Sequence, residues 1–93
     1  MTVTVTIPTI LRPLTDGRRS VAADGTTLVE VLRDVDSRHR GFAGRVLSPE
    51  GTLQRYVNVY VNDEDVRFTG ALDTPVRAGD TVTILPAVAG GSR

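Results

Sequence analysis

Cysteine and lysine are both missing from this chain of 93 residues. Without cysteine there are no disulfides, no thiolate metal sites and no thiol nucleophile, and the redox compartment is left open. Without lysine there is no Schiff-base chemistry and no phosphate-binding P-loop of the usual kind. Histidine occurs once, as His39, too few for a histidine-based metal site within one chain. Excess charge of either sign is lacking too, since 11 basic and 11 acidic residues balance. No global field therefore attracts nucleic acid or acidic lipid, and neither is expected as a partner. No apolar run approaches the roughly 20 residues of a membrane span, and the N-terminus has no basic-then-apolar leader pattern. The expectation is a soluble, cytoplasmic protein that binds no cofactor and no metal of its own.

What is present is one small domain. A chain of this size buries somewhat more than ~60% of its unfolded surface, enough for a modest core. Thr2 to Ile7 alternates strictly, with Val3, Val5 and Ile7 on one face, as in a half-buried strand. Pro8 and Pro13 bracket a connection in which Ile10 and Leu11 are not obvious solvent residues, and Asp16-Gly17 signals a turn. Arg18 to Ala23 reads as a second strand, antiparallel to the first. The period then changes. Leu28, Val31, Leu32 and Val35 share one helical face, Thr27 with Glu30 fits a capping box (Thr26 or Asp24 being alternatives), and Asp34 stands four residues before Arg38. His39-Arg40-Gly41 suits the helix end. A solvated histidine there is a better reading than a catalytic one.

Phe42 to Leu53 reads mostly as loop, anchored by Phe42, Val46 and Leu47. Alternation returns from Arg55 to Asn62, with Val57, Val59 and Val61 inward. Asn62 to Asp65 reads as a solvated acidic turn; it lacks the glycine and late glutamate of a calcium loop. A short strand is expected over Val66 to Phe68, and a last one from Thr81, with Val82 and Ile84 inward. The order β-β-α-β-β-β, with first and last strands paired in parallel, predicts an α+β fold of the β-grasp (ubiquitin-like) type. Its mixed sheet of four to five strands packs on one main helix. Residues 1–86 form the domain and residues 87–93 a flexible C-terminal tail.

That tail carries the functional signal. Pro86 cannot donate a ladder hydrogen bond, and the small residues after it, Ala87-Val88-Ala89-Gly90-Gly91, have little to contribute to a core. Extended from Leu85 to Gly91, the arm reaches roughly 20 Å from the body. Such an arm fits a narrow active site in another protein. A frayed end or a flexible linker is the plainer reading of the same glycines. Alternation also turns Leu85 and Tyr60 away from the core side, making them candidate docking residues, against the rule that single exposed apolar residues are ordinary.

Three stretches carry a likeness to a known family. They are Val5 to Pro13, Val59 to Phe68, and Val82 to Gly91, the last being the most specific because it ends a β-grasp domain in Ala-Gly-Gly. Over nearly its whole length the chain resembles the ubiquitin-like sulfur carriers related to the molybdopterin-synthase small subunit and the thiamin sulfur carrier (the MoaD/ThiS family). Within these it looks most like the actinobacterial CysO type used in cysteine biosynthesis. The resemblance implies a protein substrate rather than an enzyme. An activating enzyme would spend ATP to adenylate the carboxylate of Gly91, and a sulfur donor would then displace AMP to leave a thiocarboxylate. Ala87, Val88, Ala89 and Gly90 would thread into the partners' active sites. Implied partners are the adenylating sulfurtransferase, a sulfur-acceptor enzyme (cysteine synthase-like or a thio-sugar synthase), and a JAMM-type metalloprotease. The protease is implied because Ser92 and Arg93 follow Gly91 and must be removed, unless they are foreign to the native chain. A ubiquitin-like modifier joined through Gly91 to other proteins, an adaptor with an inert tail, and a molybdopterin or thiamin carrier remain alternatives.

Overall fold

Apolar residues at every second position give the sheet one dry face. In the computed structural model, which describes residues 2–55 and 57–86, the strands are β1 (Val3–Thr6), β2 (Ser20–Ala23), β3 (Val57–Val61), β4 (Glu64–Asp65) and β5 (Thr81–Pro86). Their order across the sheet is β2-β1-β5-β3-β4. β1 and β5 run parallel at the centre, in the register Thr4–Thr81, Val5–Val82 and Thr6–Thr83, and every other pairing is antiparallel. Val3, Val5, Val59, Val82 and Ile84 are buried on one face. The mixed five-stranded sheet and the β-grasp topology are as the sequence leads one to expect. The tail from Ala87 onward lies outside the described residues.

The dry face is covered by α1 (Leu28–Arg38), whose Leu28, Val31, Leu32 and Val35 are fully buried. The Thr27 side chain caps it, accepting from the Glu30 N–H at 3.5 Å. Glu30 reaches back one residue further than a simple box: its Oε1 accepts from the Thr26 N–H at 2.8 Å and the Thr26 hydroxyl at 3.0 Å. Those bonds hold the Glu30 carboxyl below its ordinary pKa, because they favour the charged form. Gly25 allows the tight entry, since a Cβ there would stand 2.9 Å from the Val31 nitrogen. Asp34 and Arg38 form the i,i+4 ion pair, and Arg38 also donates to the Ala22 carbonyl at 2.8 Å.

Several expectations need correction. The segment read as loop after Gly41 begins with a second helix, α2 (Phe42–Val46), whose Phe42 and Val46 are fully buried. Its capping group is remote: Asp36 Oδ1 accepts from the N–H groups of Gly41 at 3.1 Å and Ala43 at 3.0 Å. Val66–Phe68 is a 3₁₀ turn instead of a strand. The Asp65 carboxylate accepts from the Arg67 N–H at 2.9 Å and bends the chain off the ladder, so only Glu64 and Asp65 pair with β3. Asn62 and Asp63, both with positive φ, make the two-residue hairpin between β3 and β4. The second strand also starts later than Arg18, at Ser20. Before it, Thr9–Thr15 winds as a 3₁₀ helix with Leu11 buried and Ile10 outside.

Candidate functional site

β5 outruns its parallel neighbour. β1 pairs with it only as far as Thr83, because the chain turns away at Pro8 into the Thr9–Thr15 helix. Ile84, Leu85 and Pro86 keep β3 on one side, through the pairs Val59–Ile84, Asn58–Leu85 and Val57–Pro86. On the other side they face a cleft lined by Thr6, Pro8, Ile10 and Arg12, about 500 Å³ in volume. A smaller hollow of about 90 Å³ beneath it is lined by Ile10, Leu11, Arg45, Val57, Ile84 and Pro86. Proline closes the ladder here because it has no N–H to give. The root of the tail is thus set at the end of a central, well-paired strand, beside an apolar cleft.

The outward residues next to that root are those expected from alternation. Leu85 is 45% exposed and lies across the ladder from Asn58, while Tyr60 stands opposite Thr83, two residues from Leu85 on the same face. Such a diagonal neighbour is roughly 7–8 Å away at the backbone, within reach of a long side chain. The sheet's outer face therefore brings Leu85 and Tyr60 together. Ile10 joins them from the 3₁₀ helix, 70% exposed and lining the same cleft as Leu85. Sequence reasoning left Ile10 and Leu11 undivided. The 3₁₀ winding separates them, sending Leu11 to the core and Ile10 to the cleft.

Two side chains on this face are held by neutral oxygens. Arg67 donates to Asn58 Oδ1, which places its guanidinium beside the Asn58–Leu85 pair. Arg12 Nε donates to the Ile7 carbonyl at 3.2 Å. At the opposite end of the sheet, Asp80 accepts from Asn62 Nδ2 at 2.9 Å and from the Arg77 N–H at 2.8 Å, and the Asn62 contact chiefly lowers its pKa. The remaining candidate residues, Ala87, Val88, Ala89, Gly90, Gly91, Ser92 and Arg93, lie outside the described residues. Among the described residues, His, Asp and Glu form no group able to hold a metal ion, and no helix is long and apolar enough to cross a membrane.

A β-grasp domain whose central last strand ends at Pro86 beside an apolar cleft belongs to the ubiquitin-like class. More narrowly, residues 5–91 match the ThiS family model, and the chain belongs to that family. It is 57% identical over 93 residues to the sulfur carrier protein CysO of Mycobacterium tuberculosis, covering 98% of this chain and all of that one. Its structure superposes on a chain of the Amycolatopsis orientalis BexX/CysO complex with a TM-score of 0.90, at 60% identity, covering 96% of this chain and 99% of that one. The small archaeal modifier protein 3 of Haloferax volcanii is 35% identical over 68 residues, 73% of each chain.

Proposed function

We propose that this protein is a sulfur carrier, a protein substrate handed between enzymes and not itself an enzyme. The observation that carries the reading is the 57% identity to CysO over 98% of the chain, together with a central strand that ends at Pro86 just before the sequence Ala87-Val88-Ala89-Gly90-Gly91. The working group is the C-terminal carboxylate of Gly91, exposed once Ser92 and Arg93 are removed, for which a JAMM-type metalloprotease is the implied agent.

The chemistry follows from the weakness of a carboxylate as an acyl donor. An activating enzyme joins the Gly91 carboxylate to the α-phosphorus of ATP, expelling pyrophosphate and forming an acyl adenylate. A sulfur donor attacks the acyl carbon, AMP leaves, and a thiocarboxylate remains. On the acceptor enzyme the sulfur attacks the acceptor, and water then cleaves the acyl–sulfur bond, supplying the oxygen that restores the carboxylate. The carrier binds no cofactor in this cycle; ATP belongs to its partner. Glycine at the reacting position keeps side-chain bulk out of a narrow channel, where a small misplacement of the acyl carbon costs a large factor in rate. The domain's part is to anchor the arm on a rigid strand and to offer Leu85, Tyr60 and Ile10 as a docking patch.

Cysteine biosynthesis is the favoured destination of the sulfur, by likeness to the mycobacterial carrier. Delivery to a secondary metabolite is the second reading, and the complex of the Amycolatopsis CysO with BexX supports a carrier that docks on a partner protein. Attachment to other proteins is a third, since an archaeal modifier is among the relatives. ATP–pyrophosphate exchange with the activating enzyme tests the central step. The chain ending at Gly91 should support exchange and the chain ending at Arg93 should not; equal exchange by both would refute the need for trimming.

A further inference from the structure

Three clefts meet at the Val57–Pro86 pair, and arginines from four separate segments line them. Arg12 comes from the 3₁₀ helix after β1, Arg45 from α2, Arg55 from the turn before β3, and Arg67 from the turn after β4. Each cleft contains Pro86 or its ladder partner Val57, so the four cations surround the root of the tail. None of them makes an ion pair among the described residues, and the guanidinium contacts of Arg12 and Arg67 are with neutral oxygens. Asp73 is the sole carboxylate among the described residues lining these clefts.

Acids gather at the other end of the sheet. Asp80 immediately precedes β5, Asp63 and Glu64 form the β3–β4 hairpin, and Asp24 follows β2 where Ala23 pairs with the start of β1. A chain with no net charge is thus polarised along its sheet, cationic at the tail end. Composition hides this, because the arginines are far apart in sequence.

We propose that this arginine collar docks on a partner protein that carries a ring of carboxylates around the mouth of the pocket receiving the tail. The inference rests on the carrier reading and names the partner's surface chemistry. Guanidinium groups suit the task, since each presents a planar fork that matches a carboxylate with two hydrogen bonds. Leu85 and Ile10 supply the apolar centre of the contact. The collar supplies orientation and association rate, drawing the domain in with its arm pointing into the pocket.

BexX of Amycolatopsis orientalis serves as the probe, with binding measured for the chain ending at Gly91. Raising salt from about 50 to 300 mM should weaken binding roughly tenfold, as expected for several exposed charge contacts. A double variant, Arg45→Glu with Arg55→Glu, should bind at least tenfold more weakly at low salt and lose most of the salt dependence. Among the described residues neither side chain makes a hydrogen bond that holds the fold, so an unchanged melting temperature should accompany the loss. Arg77→Glu, at the acidic end, should leave binding unchanged, and Leu85→Ser should weaken it equally at both salt concentrations. If Leu85→Ser weakens binding while the double variant binds like the parent, the collar proposal is wrong and the docking patch stands. If neither matters, the docking reading itself fails. Equally tight binding of a labelled DNA duplex at the same salt would make the collar a general polyanion patch and overturn the proposal.

Discussion

Leu85, proposed as a docking residue, and Glu30, a helix-capping one, make opposite predictions at the level of single side chains. Leu85 is half out of the sheet, so its removal takes little from the core. Leu85→Ser should lower the melting temperature only slightly yet weaken binding to the activating enzyme by about 1–2 kcal/mol, roughly tenfold, if it sits at the centre of the contact. Unchanged affinity, measured by titration calorimetry, would remove Leu85 from the interface. Glu30 works the other way. Its folded pKa lies below the unfolded value because it accepts from Thr26. The stability it contributes is complete above the unfolded value, about 4.3, and is lost as the pH falls through the folded one. Asp80 follows the same sign from about 3.9 downward. Glu30→Gln keeps the acceptor oxygen but not the charge, so its melting temperature should decline less steeply than the parent's below about pH 4.5. Parallel acid limbs would contradict the assignment.

Among the elements, the short helix α2 is the test of how the core is closed. Among the described residues Phe42 is the largest fully buried side chain, on five residues that hold themselves in place through a carboxylate on the preceding helix. Phe42→Ala should cost about 3–5 kcal/mol in urea unfolding with the midpoint shifted, the range for emptying an aromatic core site. A loss below about 1 kcal/mol would show that α2 is not part of the cooperative core. This helix was not legible in the sequence, and the reason is physical. Five residues with a glycine inside make too short a pattern for periodicity, and the cap comes from Asp36, six positions before Phe42. Val66 to Phe68 misled in the opposite way: the residue types suit a strand, but the Asp65 side chain satisfies a backbone donor and turns the chain. Where alternation or helical spacing persisted, in β1, β3, β5 and α1, the buried face could be read directly. The same alternation located Leu85 and Tyr60. The arginine collar was invisible because only the tertiary fold joins residues 12, 45, 55 and 67.

At the scale of the whole molecule, the proposed function makes the domain a holder for a chemical handle. A central strand, flanked by β1 at its start and by β3 along its end, finishes at Pro86, with an apolar patch and a cationic rim around that point. On the proposed function, catalysis, ATP and the sulfur donor all belong to partners, and a protein without cysteine serves sulfur chemistry because the sulfur rides on a main-chain carbonyl carbon. The measurement that bears most directly on this account is the intact mass of the protein purified from its own cells. The account predicts a species ending at Gly91, part of it heavier by the exchange of one carboxylate oxygen for sulfur. A single species that always retains Ser92 and Arg93, with no sulfur added, would contradict it.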